Sequence, residues 1–277
     1  MPSISVIGIC GNSVFLSVDR FHEKGQTLVA NSRREEIGGK GFNQAVAAAR
    51  MGAQVSFLGA IGGDADAQKC ILAAKTEGIQ GHFSVKSQEM TTCAVILTDR
   101  SGENQVTVCP GAQLQETDVY AFEPQIAQSD ILLLQQEVPH EVNIAAIRLA
   151  KKHGIPVILN PAPAKNLAYE DTLWLVTPNE HEKAGLGALS YEHCVTTLGK
   201  DGCSIDNKTL IKALPVTAVD TTGAGDTFNG VLAVCLAEKM TLEDACRWAV
   251  AASGLSVTQH GVLNAIPRKN EIERMVL

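Results

Sequence analysis

Short apolar runs alternate with helix-like patterns along most of this chain of 277 residues. The apolar runs predict buried strands at Ile4–Ile9, Val55–Ile61, Ile131–Leu134, Val157–Leu159, Leu173–Thr177 and Cys194–Leu198. The helices expected between and after them are Asn43–Met51, Asp66–Glu77, Glu141–His153, Asp226–Lys239 and Leu242–Thr258. Because strands that alternate with helices form parallel sheets covered on both faces, the pattern predicts an α/β fold. We expect a three-layer α/β/α sandwich with a mostly parallel sheet.

Two segments depart from this alternation. Thr27–Ile37 and Thr92–Val108 alternate polar and apolar residues, and the second contains a turn at Ser101–Asn104. Such segments are typical of an antiparallel sheet that is apolar on one face only. We expect them to form a small β-sheet lid over a ligand, from about residues 12–37 and 92–109. The chain contains no repeat, low-complexity tract or linker, so we expect a single domain over residues 1–277.

Charge and cysteine content limit the classes of partner. The net charge of −7 and the lack of any Lys/Arg run argue against a nucleic-acid-binding surface. No cationic region precedes the first apolar run, so no signal peptide is expected, and no apolar stretch is long enough to span a bilayer. None of the eight cysteines is spaced as Cys-x-x-Cys, and most have apolar neighbours. We therefore expect reduced core thiols, no structural metal and a cytoplasmic protein that binds neither nucleic acid nor membrane.

Two glycine clusters carry the chemistry. In the first, Gly223-Ala224-Gly225 stands directly before Asp226, at the point where a loop becomes a helix. Glycines let backbone N–H groups turn toward an anion, and the helix N-terminus adds about half a positive charge. Asp226 can then take a proton from a hydroxyl group that attacks a bound phosphate. The alternative is an N-capping aspartate after a glycine turn.

The second cluster, Gly38-Gly39-Lys40-Gly41, leads into an Ala-rich helix. Its glycines allow a ligand hydroxyl to approach the main chain, while Lys40 and Asn43 offer polar contacts. It is not a P-loop, because Gly41 follows Lys40 where Ser or Thr is needed. The dinucleotide fingerprint Gly-x-Gly-x-x-Gly is also missing, since position 228 is Phe. Taken alone, this cluster could equally be a structural turn between a strand and a helix.

The two clusters together are specific. Residues 38–45 (Gly-Gly-Lys-Gly-Phe-Asn-Gln-Ala) and 220–228 (Asp-Thr-Thr-Gly-Ala-Gly-Asp-Thr-Phe) closely resemble the two signatures of the ribokinase-like (PfkB) carbohydrate kinases. Further matches follow in family order at residues 134–137, 160–164, 177–180, 197–199 and 256–261. The resemblance covers nearly the whole chain. It implies the ribokinase-like fold and transfer of the γ-phosphate of MgATP to a primary hydroxyl of a small sugar, most often a pentose.

The resemblance also implies a role for each matching position. Asp226 would be the catalytic base, and the backbone of Gly223, Ala224 and Gly225 would stabilise the charge on the transferring phosphoryl group. Sugar contacts are implied for Gly39, Lys40, Asn43, Glu137 and Asp226. ATP contacts are implied for Asn179, Thr197, Gly199 and Gly225.

Two cation sites follow from the same resemblance. Magnesium, bound mainly through water, is implied at Asn179 and Glu182. A monovalent cation such as K⁺ is implied at Asp220, Thr222, Ser256, Gln259 and Gly261. Taken alone, Asn179 and Glu182 would be an ordinary helix start, and Thr197 with Gly199 a plain strand end.

The chain departs from the family pattern at two places. Family members that act on ribose usually carry Asn-x-Asp after the first strand, whereas this chain has Gly11-Asn12-Ser13. Ser13 can make one neutral hydrogen bond where the carboxylate would accept two. The free energy of ribose binding is therefore expected to be about 1–3 kcal/mol less favourable. Only 17 residues separate Asn179 from Thr197, where a full additional helix is usual. One face of the sheet is therefore expected to be thinly covered near the nucleotide.

These observations favour an ATP-dependent kinase of a small sugar, with a pentose as the favoured substrate and a lid that closes over the substrates. A nucleoside or hexose kinase of the same family is the first alternative. A sugar sensor that keeps the fold without catalysis is the second. A dinucleotide-dependent oxidoreductase is disfavoured by the missing fingerprint. Since family members often pair through their lids, we also expect a homodimer.

Overall fold

The computed structural model describes residues 1–165, 169–187 and 189–276. In chain order the strands are β1 (Ser3–Ile7), β2 (Gly11–Ser17), β3 (Ser32–Gly38), β4 (Gln54–Gly62), β5 (Gln80–Lys86), β6 (Cys93–Thr98), β7 (Asn104–Cys109), β8 (Ile131–Gln135), β9 (Val157–Asn160), β10 (Leu173–Val176), β11 (Tyr191–Thr197), β12 (Cys203–Ile205) and β13 (Thr209–Ile211). The helices are α1 (Lys40–Arg50), α2 (Ala65–Thr76), α3 (Glu116–Ala121), α4 (Glu123–Ala127), α5 (His140–His153), α6 (Glu180–Ala184), α7 (Ala224–Ala237), α8 (Leu242–Ser256) and α9 (Lys269–Val276).

A large twisted sheet forms the middle layer, in the order β13-β12-β11-β10-β9-β8-β1-β4-β5. The strands from β11 to β5 in this order are all parallel, and β12 and β13 extend one edge as antiparallel strands. Every residue of β8 is buried. This burial on both faces explains why the central strands appear in the sequence as continuous apolar runs.

Helices cover both faces of the sheet and create two hydrophobic cores. In β8, Leu133 packs into the core formed with α1, α2, α7 and α8, while Leu132 and Leu134 pack into the core formed with α3, α4 and α5. Successive side chains of a strand point to opposite faces, which is why neighbouring leucines enter different layers. The prediction of a three-layer α/β/α sandwich is confirmed.

A second, four-stranded sheet has the order β3-β2-β6-β7. Strand β2 pairs antiparallel with β3 and parallel with β6, and β6 pairs antiparallel with β7. On one face, Asn12 donates hydrogen bonds to Glu35 at 3.4 Å and to Asp66 of α2 at 3.1 Å. On the other face, the Arg34 guanidinium lies 4.0 Å from the centre of the Phe15 ring. A small β-sheet lid is therefore present, as predicted.

The structure differs from the predictions in one strand boundary, in three strands of the large sheet and in the position of two cysteines. Residues 27–31, which we included in the first lid segment, lie outside the strands, because β3 begins at Ser32. Three strands of the large sheet, β5, β12 and β13, were not predicted. Two cysteines also depart from the expected core position: Cys109 is exposed and Cys93 is only partly buried, since both lie on the lid hairpin β6–β7. The other six cysteines are buried.

The carboxyl ends of β1, β8, β9, β10 and β11 meet at one edge of the large sheet, beside the N-termini of α1 and α7. In parallel α/β sheets this edge is where ligands bind. Within the described ranges 1–165, 169–187 and 189–276, no helix is long and apolar enough to cross a membrane.

Candidate active site

Asp226 lies in the first turn of α7 and is almost fully buried. Its two carboxylate oxygens accept hydrogen bonds from Asn43 Nδ2 at 2.9 Å and from Gln44 Nε2 at 3.0 Å. Burial raises the pKa of Asp226, although the nearby Lys40 ammonium and the two amide donors oppose this shift. A buried carboxyl group with a raised pKa at the edge of a cavity is a candidate general base.

The capping alternative for Asp226 does not describe this helix. The N-cap position is Gly223, in the left-handed conformation with φ 76°, and no side chain within residues 1–165, 169–187 and 189–276 caps the helix. The Asp226 carboxylate instead faces the amide side chains of α1. A cap role would require that the carboxylate accept from the backbone N–H groups of the first turn.

The backbone around Gly223 forms an anion cradle at the start of α7. The first N–H groups of a helix have no intrahelical partner, and the 14 residues of α7 supply a full helix dipole. Ala224 N–H already donates to Thr221 O at 3.3 Å, which leaves the next N–H groups of the turn for a ligand. A Cβ atom on Gly225 would meet no described atom beyond its chain neighbours and its own helix backbone within 4 Å, so this side of the cradle is open.

A buried polar network holds Asp226 and the cradle in place. Gln44 accepts from Gln135 Nε2 at 2.7 Å and donates to Asn160 Oδ1 at 3.2 Å. On the other side of the cradle, Asn229 Nδ2 donates to Gly225 O at 2.8 Å, and Thr177 Oγ1 donates to Asn229 Oδ1 at 2.5 Å. The sequence analysis gave none of these five residues a role, although four of them (Gln44, Gln135, Asn160 and Thr177) lie in segments that match the family pattern, because only the fold brings their side chains together.

Lys40 lines the same cavity as Asp226, and Glu137 contacts the Lys40 backbone. The backbone N–H of Lys40 donates to Glu137 Oε2 at 2.8 Å. Desolvation acts to lower the pKa of the Lys40 ammonium, but the charges of Asp226, Glu137 and Glu182 outweigh it and raise the pKa. Burial raises the pKa of Glu137, against the effect of Lys40. Lys40 is therefore held protonated among three carboxyl groups, where it can meet an anionic phosphate.

Gly39, Asn43 and Ser13 define the sugar side predicted from the sequence. Gly39 has φ 103°, and a Cβ atom there would come within 2.5 Å of Ile9 O, so only glycine fits this turn. Asn43 Oδ1 is buried and has no donor among the residues that the structure describes. Ser13 lies on β2, and its Oγ is 3.2 Å from the place of a Cβ on Gly38. An unpaired buried acceptor fits a ligand hydroxyl group.

Asn179 and Glu182 form a capping box at the start of α6. Glu182 N–H donates to Asn179 Oδ1 at 2.7 Å, and Asn179 N–H donates to Glu182 Oε2 at 2.9 Å. The structure therefore shows that Asn179 and Glu182 form the start of a helix, as the simpler interpretation of these residues expected. The second Glu182 oxygen is not used by this box, and both residues line the cavity beside Asp226. A carboxylate oxygen with room for water suits Mg²⁺, which keeps much of its hydration shell.

Three of the five residues predicted for a monovalent cation come together. Asp220 accepts from Thr222 N–H at 3.0 Å and from Gly261 N–H at 3.1 Å. Burial opposes ionisation of Asp220, but these hydrogen bonds outweigh it and lower the pKa of the carboxyl group. Ser256 lies at the end of α8 with its hydroxyl donating to Ser253 O at 2.8 Å, and Gln259 is exposed.

Two cavities meet at the anion cradle. The first, of about 220 Å³, is polar and is lined by Asp226, Lys40 and the capping box. The second, of about 380 Å³, is mainly apolar, and its walls include Leu214, Val216, Phe228, Val250 and Val257. Both contain Thr197, Thr221 and Gly225, and the second also contains Gly199. Sequence reasoning did not identify the apolar cavity. A buried carboxylate beside an anion cradle that adjoins an apolar cavity is the arrangement of a phosphotransferase that uses a nucleotide.

Comparison with known proteins agrees with this class. The profile of the pfkB family carbohydrate kinases matches residues 1–269. The ribokinase of Haemophilus influenzae is 38% identical over an alignment of 295 positions, which covers 97% of this chain and 96% of that protein. The crystal structure of a ribokinase from Thermotoga maritima has a TM-score of 0.89 at 32% identity and covers 100% of this chain and 99% of its own.

A further solved structure is that of Arabidopsis thaliana ribokinase complexed with ribose and ATP. It has a TM-score of 0.86 at 25% identity, and the match covers 99% of this chain and 98% of that chain. The chain belongs to the pfkB family of carbohydrate kinases, which are phosphotransferases with an alcohol group as acceptor.

Proposed function

We propose that this protein transfers the γ-phosphate of MgATP to the primary hydroxyl group of a pentose. The observation that carries the proposal is the position of Asp226: its buried carboxylate lies in the polar cavity, directly beside the glycine cradle at the N-terminus of α7. A base and an anion-binding backbone at one place are what phosphoryl transfer to a hydroxyl group requires.

Each wall of the polar cavity has a part in this reaction. Asp226 takes the proton of the attacking hydroxyl group, and its raised pKa makes it a stronger base than an exposed aspartate. The backbone of Gly223, Ala224 and Gly225 stabilises the charge that spreads over the transferring phosphoryl oxygens. The Lys40 ammonium, which lines the same cavity, stabilises the same charge.

The sugar is held between the lid and the start of α1. Asn43 Oδ1, which has no protein donor among the described residues, accepts a hydrogen bond from a sugar hydroxyl group. Glu137 and the main chain at Gly39 complete the contacts from the large sheet, and Ser13 contributes its hydroxyl from the lid. Closure of the lid over the bound sugar excludes water, so that the phosphoryl group passes to the sugar hydroxyl and not to water.

The nucleotide occupies the apolar cavity, with its phosphates at Thr197, Gly199 and Gly225. The size of this cavity and its apolar walls suit a planar base. The solved Arabidopsis ribokinase complex with ribose and ATP supports this assignment by analogy. Mg²⁺ at Asn179 and Glu182 would neutralise phosphate charge when bound. We also propose a monovalent cation at Asp220, Thr222, Ser256, Gln259 and Gly261. The effect of K⁺ on the rate of phosphoryl transfer tests this site.

The identity of the pentose depends on the residue at position 13. A serine there offers one neutral hydrogen bond in place of a carboxylate that accepts two, which weakens a contact to neighbouring ring hydroxyl groups. We therefore expect 2-deoxyribose, which lacks one of these groups, to compete well with ribose as a substrate.

The test is an assay of ADP release with pentoses, hexoses, polyols and nucleosides, each with and without K⁺. We expect ADP release that depends on a pentose and is increased by K⁺. If the protein is a sugar sensor, it should bind sugar without sugar-dependent release of ADP. If it releases ADP fastest with a nucleoside or a hexose, that compound is the substrate in place of a pentose. The cytoplasmic location and the homodimer remain predictions from the sequence.

A further inference from the structure

Glu36 on the lid strand β3 contacts the body of the protein. Its side chain is only 7% exposed, although β3 is partly exposed along most of its length. Glu36 Oε2 accepts a hydrogen bond from Val262 N–H at 2.8 Å, across 226 positions of the chain. The other oxygen pairs with Arg34 of the same strand. A Cβ atom on Gly261 would come within 2.3 Å of this second oxygen, so the carboxylate lies directly against residues 261 and 262.

The loop that Glu36 contacts is packed against the anion cradle. A Cβ atom on Gly223 would lie 2.5 Å from Val262 Cγ1, which means that the valine side chain rests on the N-cap residue of α7. Gly261 N–H donates to Asp220 Oδ2 at 3.1 Å, and Asp220 Oδ1 accepts from Thr222 N–H just before the cradle. The contacts therefore run from Glu36 through residues 261 and 262 to both ends of the segment 220–223.

Glu36 also stands next to the sugar side of the lid. In the β2–β3 register it is directly opposite Ser13, and directly paired residues of an antiparallel pair point to the same face of the sheet. The neighbouring Glu35 points to the other face, where it pairs with Lys69 of α2 at 2.8 Å. Two adjacent carboxylates on one strand thus make separate contacts, one with the cradle loop and one with α2.

We propose that Glu36 is a positioning residue that couples the lid to the anion cradle: when the sugar holds the lid against the body, the hydrogen bond from Val262 to Glu36 fixes the cradle in the geometry that stabilises the transferring phosphoryl group. The proposal rests on the proposed kinase function. The coupling goes beyond that function, because it gives the lid a part in the phosphoryl-transfer step in addition to the exclusion of water.

Kinetic comparison of four proteins tests the catalytic part. Glu36→Met keeps the bulk of the side chain and removes the acceptor, Glu36→Gln keeps an acceptor, and Glu35→Ala is the matched control on the other face. Loss of a hydrogen bond to a charged acceptor is expected to lower kcat about tenfold or more in Glu36→Met, with a smaller change in the KM for ATP. We expect Glu36→Gln to recover most of this loss and Glu35→Ala to match the wild type. Equal kcat values for Glu36→Met and Glu35→Ala would overturn the proposal.

Amide hydrogen exchange tests the contact itself and does not depend on turnover. We expect faster exchange at residues 258–263 in Glu36→Met than in Glu35→Ala, with recovery in Glu36→Gln, because Val262 N–H loses its acceptor only in the first variant. Unchanged exchange in Glu36→Met would overturn the coupling. If the wild type released no sugar-dependent ADP, the kinase function would fail, and the exchange experiment would still decide whether Glu36 fixes the cradle loop.

Discussion

The carboxyl group of Asp226 lies inside the protein, where burial raises its pKa. A group whose pKa is higher in the folded state than in the unfolded state is harder to ionise after folding, so its charge at neutral pH reduces the free energy of unfolding. The penalty is absent below the ordinary aspartate pKa and present above the raised one. The proposed base is therefore kept at a cost in stability, as functional residues often are.

A first prediction at this scale concerns the stability of Asp226→Asn. The neutral side chain removes the ionisation penalty, and Asn43 can reverse its amide so that its unpaired Oδ1 accepts from the new Nδ2. We expect Tm at pH 7 to rise by about 2–4 °C, the shift that 1 kcal/mol gives in a chain of this size. The difference should disappear below about pH 4, where Asp226 is protonated in both states. Thermal unfolding of both proteins at several pH values measures this, and a lower Tm at pH 7 would contradict it.

A second prediction concerns the pH dependence of turnover. The proposed base works only when it is deprotonated, and its pKa is raised. We therefore expect the acidic limb of kcat/KM for the sugar to lie above the ordinary aspartate value of about 3.9. The residual rate of Asp226→Asn should lack this limb. A wild-type profile that stays flat down to pH 4 would exclude Asp226 as the titrating base.

The individual residues differ in how far the sequence could predict them. Asp226 and its glycines occur next to each other, so a local pattern was enough to propose a base and an anion cradle. Asn160 and Asn229 lie 69 positions apart in the sequence and are joined through Thr177, whose carbonyl oxygen accepts from Asn160 and whose hydroxyl donates to Asn229. Glu36 has no local signal at all, because its partner is 226 positions away.

At the scale of the elements, the pairing of β2 with β3 modifies the expectation for position 13. Ser13 lies directly opposite Glu36, and like charges at directly opposite positions destabilise a sheet. The serine therefore avoids a repulsion that an aspartate would create in this lid. The departure from the family pattern at position 13 is consistent with a carboxylate on the neighbouring strand.

A third prediction uses this pair of positions. Ser13→Asp alone should give little gain with ribose, because the introduced carboxylate and Glu36 repel each other across the strands. In the Glu36→Gln background we expect Ser13→Asp to lower the KM for ribose about tenfold, the value of roughly one charge-assisted hydrogen bond. Steady-state kinetics of the wild type, both single variants and the double variant form a complete cycle. An equal effect of Ser13→Asp in both backgrounds would show that the two positions do not interact.

The elements that the sequence predicted share one property. Most residues of β1, β4 and β8–β10 are buried, as are residues 194–196 of β11, and these stretches appear as apolar runs. Strand β5, which was not predicted, lies at the edge of the sheet and begins with exposed residues. Strands β12 and β13 have three residues each, which is too short to show an alternation of apolar and polar residues. The short α6, with five residues, leaves a broad groove beside Lys183 and Thr196, where the sequence predicted thin coverage.

At the scale of the whole molecule, the proposed reaction centre draws on three units that come from separate parts of the chain. Glu137 and the capping box follow strands β8 and β10 of the large sheet, Asn43 and Asp226 lie on the helix pair α1 and α7, and Ser13 lies on the lid. The apolar cavity lies on the far side of the cradle and joins the loop 213–218 to α7 and α8. No sequence period marks this cavity, because its walls come from segments that meet only in the folded chain.

A fourth prediction tests the assignment of this cavity to the nucleotide. Gly254 lines this cavity, and in the described part of the chain a Cβ atom there would meet nothing within 4 Å besides its chain neighbours and the backbone of its own helix. Gly254→Leu should fill part of the cavity and raise the KM for ATP about tenfold, while the KM for the sugar stays unchanged. Gly254→Ala is the matched control, because it adds only a methyl group and improves helix propensity. A Gly254→Leu variant with a normal KM for ATP would place the nucleotide elsewhere.

The central claim is that Asp226 takes the proton from a pentose hydroxyl group that attacks the γ-phosphate of ATP. The most direct measurement is a single-turnover experiment with γ-labelled ATP and ribose or 2-deoxyribose, in which wild type and Asp226→Asn are compared after ATP binding to both has been verified. We predict labelled phosphate on the primary hydroxyl group of the pentose, formed about 10²–10⁴ times more slowly by the variant. Transfer by Asp226→Asn at the wild-type rate would contradict the account, as would a wild type that binds both substrates and labels no sugar.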